Sequence, residues 1–176
     1  MTTSAAPATP APAVLSPTEL LYDDFALEWA STRRILERYP AGKGDWRPHE
    51  RSKSLGELAT HVADIVNRGN NILEADVMEV RKLPSLRPLD SPAELIEHFE
   101  QGLARFNAML ATSDYDHLAQ PWAITNGGHV VFQGPRRVML RHIMMCHLVH
   151  HRAQLGVYYR LLGVPVPGTY GPTADD

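Results

Sequence analysis

Three Ser-x-x-Glu sequences, at residues 16–19, 54–57 and 91–94, each precede apolar residues at helical spacing. In such a capping box the serine hydroxyl accepts the backbone amide of the glutamate, while the glutamate carboxylate accepts the amide of the serine. Each sequence therefore predicts the start of a helix. The apolar residues that follow predict helices that end near Pro40, Leu73 and Leu110.

A fourth helix is predicted from about Pro135 to Leu162, with Gly163 as the residue that ends it. Before this helix, residues 122–125 and 129–132 flank an Asn-Gly-Gly sequence. This arrangement predicts a β-hairpin, because Asn-Gly readily adopts the positive φ angles of a tight hairpin turn. The pattern as a whole predicts an all-α four-helix bundle with a small β-hairpin between helices three and four. Bundles of this kind place metal and ligand sites between facing helices.

The length of 176 residues and the lack of an internal repeat indicate one domain. We expect residues 1–14 to be a flexible tail, because Ala, Pro and Thr bury too little apolar surface to offset the entropy of ordering. Residues 15–176 then form the bundle. The tail has no basic residue before an apolar run, so it does not read as a secretory signal.

Composition narrows the possible surroundings and partners. Cys146 is the single cysteine, so no intrachain disulfide can form, and no segment is apolar for long enough to cross a membrane. We therefore expect a cytoplasmic protein that does not bind membranes. A net charge of −3 offers no basic surface for nucleic acid, so we expect no nucleic-acid partner.

Histidine is the unusual residue of this composition: there are nine, and three lie between His147 and His151. At 100° per residue, His147 and His151 fall at the centre of the apolar face of the fourth helix. Buried imidazoles need partners, because an unpaired buried polar group costs roughly 1–3 kcal/mol. Two kinds of partner remain open: a divalent metal ion, or hydrogen bonds to backbone carbonyls or to Tyr158.

A metal ion needs more than two ligands, and His61 is the natural third. It is the histidine within the second helix, and it lies beside Leu58 and Ile65 at the edge of the buried stripe. We expect the remaining histidines, apart from His150, to lie in loops or on exposed faces. They are His49, His98, His117, His129 and His142.

Three further residues are candidates for supporting contacts at the site. Gln154 shares the face of His147, where it could orient a ligand or simply join helices. Tyr158 shares the same face and could donate a hydrogen bond or pack in the core. His150 points about 60° from His147, which favours a supporting or a surface position.

Two neighbours of the histidines are expected to have other roles. Arg152 lies about 140° from His147 on a helical wheel, so we expect it in a surface salt bridge. Cys146 lies about 100° away, and we expect it to be a buried, inert thiol.

The segments that carry these histidines resemble those of the DinB-like family. The run HLVHHRAQLGVYYRLLGVPVPGTYGP, residues 147–172, resembles the family's His-x-x-His-His-Arg-Gly-Gln-Leu signature. The run DWRPHERSKSLGELATHVADI, residues 45–65, resembles its Trp loop followed by Ser and Leu-x-x-His. The resemblance spans about residues 16–172, and it implies a helix bundle that binds one divalent metal.

The resemblance assigns the metal ligands to His61, His147 and His151. His150 occupies the family's middle histidine, which is not usually a ligand. Ala153 stands where glycine is common. Since alanine is the better helix former, we expect this departure to leave the site intact.

The resemblance also implies a function, because some DinB-like proteins transfer low-molecular-weight thiols such as bacillithiol or mycothiol. The metal there holds the thiol cofactor as a thiolate, so no protein nucleophile is needed. We therefore expect a small-molecule substrate and zinc or nickel as the metal, since imidazole ligands suit these ions. We also expect a homodimer, formed through apolar hairpin residues such as Trp122 and Val130.

Two other functions remain open on the sequence. One is a metal-dependent hydrolase, with Glu57 or Asp64 as the general base. The other is a non-catalytic stress protein that binds a metal or another ligand. A transferase should have a deep pocket with cationic or polar groups around the metal, whereas a binding protein need not leave its metal reachable.

Overall fold

The computed structural model describes residues 17–175, apart from the side chains of Pro17, Thr18, Leu20 and Tyr22. The predicted flexible tail at residues 1–14 and the predicted cap at Ser16 lie outside the described residues.

Helices account for most of the described chain, as the apolar periodicity predicts. In chain order the α-helices are α1 (Pro17–Leu36), α2 (Leu55–Asp64), α3 (Val66–Glu74), α4 (Pro92–Thr112), α5 (Tyr115–Ala119), α6 (Arg136–Met139) and α7 (His147–Leu161). A 3₁₀ turn spans Val80–Lys82, and a π-helical segment spans Leu140–Cys146. The predicted helical fold is confirmed, but the predicted number of four helices is not, because two of them are divided and α5 was not predicted.

The predicted second helix is divided at Ile65 into α2 and α3. Its start is as predicted: the Glu57 amide donates to Ser54 Oγ over 3.3 Å, and the Ser54 amide donates to Glu57 Oε2 over 2.6 Å. Ile65 keeps helical angles, φ −58° and ψ −31°, but its carbonyl accepts the Arg68 amide three residues later. The division is thus one tightened turn in a backbone that otherwise stays helical.

Two other predicted helix boundaries are confirmed. Ser91 caps α4, where its Oγ accepts the Glu94 amide over 3.2 Å and Pro92 occupies the first helical position. At the end of α7, Gly163 has a φ of +70°, which a residue without a side chain adopts at little cost.

The predicted fourth helix begins as α6, continues through the π-helical segment and ends as α7. A π-helix bonds each amide to the carbonyl five residues back, so it turns through a smaller angle per residue than an α-helix. The angles of a regular α-helix therefore apply within α7 but not between Leu140 and Cys146. Such segments occur frequently at functional sites, and this one leads directly into His147.

The predicted hairpin is present, and a third strand joins it. The strands are β1 (Val77–Glu79), β2 (Pro121–Asn126) and β3 (His129–Pro135), with β2 in the middle, parallel to β1 and antiparallel to β3. The hairpin turn takes its positive φ angles, +62° and +82°, from Gly127 and Gly128 and not from Asn126. Both glycine amides donate to the Glu79 carboxylate, over 2.9 and 3.0 Å, which ties β1 to the turn.

The core between α1 and α4 is aromatic. Neighbouring ring centroids lie 5.7–6.1 Å apart among Phe25, Trp29, Phe99 and Phe106. Leu27 of α1 lies outside this core and is 76% exposed. In the described residues, no helix combines the length and the apolar character needed to cross a membrane.

The hairpin contributes to this core more than the sequence suggested. Trp122 was expected on an exposed apolar surface, yet it is only 1% exposed, whereas Val130 is 57% exposed as expected. The reason is the alternation of β2, whose side chains at Trp122 and Ile124 both point inward.

Candidate metal centre

Two helices place the three predicted metal ligands. His61 lies in α2, whose first turn is fixed by the capping box at Ser54, and His147 and His151 lie one turn apart in α7. Because α2 packs against α7, the histidine of one helix faces the pair on the other. All three imidazoles are half-buried.

The three imidazoles converge on one point. Nε2 of His61 lies 2.9 Å from Nε2 of His147, and one ligand nitrogen from each of the three lies within 4.8 Å of the others. Three nitrogens at about 2.0–2.1 Å from one ion have nearly this spacing. The three-histidine group can therefore hold a metal ion, and its all-nitrogen chemistry fits a borderline cation.

Burial keeps these imidazoles neutral. Burial, the largest cause, acts together with the charges of neighbouring groups to lower the pKa of His61 to about 3 and the pKa of His147 to about 4, and it also lowers the pKa of His151. The positive charge of Arg68 contributes to the lowering of the pKa at all three histidines. Since neutral imidazole is the form that binds a metal, no proton has to be removed at neutral pH.

The alternative partners for the pair on α7 are not used. The Tyr158 hydroxyl donates to the carbonyl of Lys53 over 3.1 Å, and its ring packs edge-on against Trp46 with centroids 5.5 Å apart. The hydrogen bonds of the three imidazoles in the described chain go to each other or to a side-chain amide. Tyr158 therefore braces the loop before α2 and does not contact the ligands through a hydrogen bond.

Gln154 orients one of the candidate ligands, His151. Nδ1 of His151 lies 2.7 Å from Oε1 of Gln154, and because an amide oxygen only accepts, Nδ1 must donate. The lone pair of His151 then lies on Nε2, the nitrogen available to a metal. His150 is exposed, and its ring stands edge-on to that of His151 with centroids 4.8 Å apart.

A cavity of about 710 Å³ opens beside His61. It lies among α2, α3, α4 and the loop at residues 83–88, and both charged and polar side chains line it. The cationic ones are Lys53, Arg68 and Arg105. A small molecule in this cavity would therefore contact His61, the member of the three-histidine group that lines it.

Arg152 does not lie on the surface, as its angle on the wheel suggested. It is 3% exposed, and its guanidinium bonds Glu28 Oε2 over 2.5 Å and the Tyr170 hydroxyl over 2.8 Å. The face of α7 opposite the histidines packs on α1, so both sides of this helix are covered. Arg152 thus forms a buried ion pair with Glu28, which holds α7 against α1 on the face opposite the histidines.

Three other expectations about single residues are wrong. Cys146 was expected to be buried but is exposed. His98 is half-buried, and its Nε2 lies 2.9 Å from Asp64 Oδ1. His117 is half-buried as well, with Nε2 2.9 Å from the carbonyl of Leu73.

The sequence reasoning passed over Arg68, which lines the cavity and acts electrostatically on every ligand histidine. A signal for it was present. His61, Asp64, Arg68 and Asn71 are spaced by three, four and three residues, which is one face of a helix. Four polar residues on one face beside a buried stripe indicate a polar cavity and not a solvated surface.

Comparisons with known proteins agree with this architecture. The family model described as DinB family matches residues 14–176. A DinB-like protein of Bacillus subtilis superposes with a TM-score of 0.64 at 19% identity, covering 85% of this chain and 97% of its own. A DinB-like protein of Bacillus cereus also gives a TM-score of 0.64, at 18% identity, and the match covers 86% of this chain and 97% of that one. Comparison with curated proteins finds no matching sequence. On the family match, which spans almost the whole chain, this protein belongs to the DinB family.

Proposed function

We propose that this chain is a divalent-metal-dependent transferase of a low-molecular-weight thiol, with His61, His147 and His151 as the metal ligands. The observation that carries the proposal is the convergence of three neutral imidazoles beside a cavity of about 710 Å³ with cationic side chains in its wall. When bound at such a site, a metal lowers the pKa of a thiol so that it reacts as a thiolate. Three protein ligands leave a coordination position for that thiol.

The chain's own residues prepare this site without a metal. Burial holds the imidazoles in the neutral form, and Gln154 fixes Nδ1 of His151 as the donor. The buried ion pair of Arg152 fixes the opposite face of α7. These contacts reduce the movement that the ligands must make on binding.

The position of the one cysteine supports a nucleophile that arrives with the cofactor. Cys146 lines a different cavity, together with Asp24 and Tyr170, and not the one beside His61. In the described part of the chain no cysteine therefore lines the candidate site. A thiol-transfer reaction there would draw its sulfur from a small molecule.

The hydrolase alternative finds less support, because both candidate bases already have partners. Glu57 accepts the Ser54 amide in the capping box, which holds the pKa of its carboxyl below the usual value. Asp64 Oδ1 accepts hydrogen bonds from Asn67 and His98, each over 2.9 Å. A stress protein that only binds a metal ion would not need the open cavity at His61.

The donor set also supports zinc or nickel as the metal. Magnesium and calcium prefer oxygen ligands, whereas imidazole nitrogen suits the borderline transition metals. The ion is part of the proposal, and metal analysis of protein purified without added metal tests it.

Thiol conjugation tests the reaction. We expect zinc- or nickel-loaded protein to conjugate 1-chloro-2,4-dinitrobenzene to bacillithiol or mycothiol, and His147→Ala to abolish this activity. The matched control is His142→Ala, which removes an exposed histidine five residues earlier. Absence of conjugation with every thiol, from protein that has bound metal, would contradict the transferase while leaving the metal site in place.

We also propose that the protein is a homodimer that pairs through β3. This edge strand carries three consecutive apolar side chains, Val130, Val131 and Phe132, that are 57%, 50% and 47% exposed. Unpaired strand edges with apolar side chains favour association. Sedimentation equilibrium should give twice the chain mass of 19.6 kDa, and Val131→Lys should reduce it to the single chain. A single-chain mass for the unmodified protein at micromolar concentration would contradict the dimer.

A further inference from the structure

Arg68 is a positively charged side chain in the wall of the cavity beside His61, and its position suits it to bind a ligand. It lies in α3, two turns after His61, and lines the same cavity. Its position is tightly set, because Gly69 packs so closely that a Cβ there would lie 2.3 Å from Met144 Sδ and 2.7 Å from Phe106. The backbone that carries Arg68 therefore cannot shift away from the site without opening the core.

The acidic side chains that line the cavity all have hydrogen-bond partners, but within the part of the chain that the structure describes the Arg68 side chain has none. Each acidic side chain has a partner: Glu57 is bonded to Ser54, Asp64 to Asn67 and His98, and Glu74 to Arg105. Arg68, in contrast, makes no salt bridge among the described residues, and its Nε is buried without a hydrogen-bond partner. Asp64 is near enough to act on its charge, but the hydrogen bonds of that carboxylate go elsewhere.

An unpaired cation that is half-buried, with its Nε fully buried, is costly. Burial lowers the pKa of the Arg68 guanidinium, yet arginine remains protonated in proteins, so the charge cannot be removed by loss of a proton. Such a charge is usually paired, because desolvation without a counter-charge is strongly unfavourable. The fold thus keeps a planar, five-donor group free at a distance from which its charge acts on all three ligand histidines.

We propose that Arg68 binds a carboxylate of the small molecule that reacts at the histidine site. This inference rests on the proposed function and adds a substrate class to it: the molecule in the cavity is anionic. The guanidinium offers two parallel N–H donors to a carboxylate, which fixes orientation as well as charge. The carboxylate belongs either to the thiol or to the acceptor, and the two sources are separated by experiment.

The first arm uses the cobalt-loaded protein and two thiols, mercaptosuccinate and 2-mercaptoethanol. The thiolate-to-cobalt absorption band reports binding without any turnover. We expect Arg68→Gln to weaken mercaptosuccinate about tenfold or more, since hydrogen bonds to charged groups contribute about 1.5–3 kcal/mol. Binding of the neutral 2-mercaptoethanol should change less than about twofold, because it makes no such bond.

Two further variants separate a specific contact from general effects. Arg68→Lys keeps the charge but not the fork of donors, so it should recover part of the lost affinity. Arg87→Gln removes an exposed arginine of the loop at residues 83–88 that does not line the cavity and bonds Glu94. We expect this control to bind both thiols as the unmodified protein does.

The second arm measures succinate binding by calorimetry, in cobalt-loaded protein with 2-mercaptoethanol and in metal-free protein. If Arg68→Gln weakens the binding of mercaptosuccinate, the carboxylate belongs to the thiol. If it weakens only the binding of succinate, the carboxylate belongs to the acceptor. If Arg68→Gln and the unmodified protein, equally helical by circular dichroism, bind all these probes alike, the anion site is refuted. If cobalt does not bind at all, the proposed function fails, while succinate binding to the metal-free protein still decides the role of Arg68.

Discussion

Nε2 of His61 lies 2.9 Å from Nε2 of His147, although the two residues are 86 positions apart in the chain. Neutral imidazoles at this distance share one proton in a hydrogen bond, or both direct their lone pairs at one cation. His151 completes the group, with its ring centroid 4.5 Å from that of His61 and 4.6 Å from that of His147. The junction of α2 and α7 is therefore arranged around three nitrogen donors.

Gln154→Ala should weaken metal binding about 10- to 100-fold, the usual effect of losing a group that orients a ligand. Without Oε1 of Gln154, Nδ1 of His151 has no acceptor in its present position, and the ring is free to turn. Zinc affinity measured by competition with a chromophoric chelator checks this. Gln154→Glu retains an acceptor oxygen and should keep most of the affinity, so equal losses in both variants would refute the orienting role.

Arg152→Ala should destabilise the protein by about 3–5 kcal/mol, because it leaves the largely buried Glu28 carboxylate without its counter-charge and with only the Tyr170 hydroxyl donating to it. Urea unfolding followed by circular dichroism measures the change. Arg160→Ala is the matched control on the same helix: Arg160 pairs with Asp175 at an exposed position, so its loss should cost less than about 1 kcal/mol. Similar effects of the two substitutions would contradict a buried ion pair at Arg152.

The ion pair of His98 and Asp64 should stabilise the folded protein more at low pH than at high pH. The hydrogen bond to Asp64 raises the pKa of His98. Because the folded pKa is above the unfolded value of about 6.5, the stabilisation is fully present below pH 6.5 or so and is lost as the pH rises through the folded pKa.

The measurement for this pair is the free energy of unfolding of the unmodified protein minus that of His98→Gln, at pH 5.5 and at pH 9. We expect the difference to be larger at pH 5.5, by about 1 kcal/mol or less for a pair that is partly exposed. Asp64→Asn should remove the same pH dependence. A difference that grows with pH would have the wrong sign for this ion pair.

The starts and ends of helices were predictable because they depend on neighbours in sequence. The caps at Ser54 and Ser91 bond backbone amides within three residues, and Gly163 ends α7 by its own positive φ angle. The local sequence therefore carries the signal. The grouping of the three candidate ligands was predictable for a related reason: the spacing of His147 and His151 defines a helical face, and the resemblance to the DinB-like family supplied His61. The structure brings all three together.

What the sequence did not predict depends on contacts between distant segments. Arg152 is buried by Glu28 of α1, which no helical wheel of α7 can reveal. The strand β1 exists because its backbone pairs in parallel with residues 123–125 of β2, which is distant in sequence. Cys146 was expected to be buried because free thiols usually are, yet it is exposed at the junction of the π-helical segment and α7.

Metal stoichiometry tests the central claim that His61, His147 and His151 bind one ion together. Protein dialysed against zinc and then against buffer should retain one zinc per chain by elemental analysis. Single alanine substitutions of each of the three histidines should reduce this to nearly zero while the circular dichroism spectrum stays helical, and His142→Ala should retain one zinc. If the unmodified protein binds no zinc, nickel or cobalt, or if His61→Ala retains a full equivalent, the account of this site is contradicted.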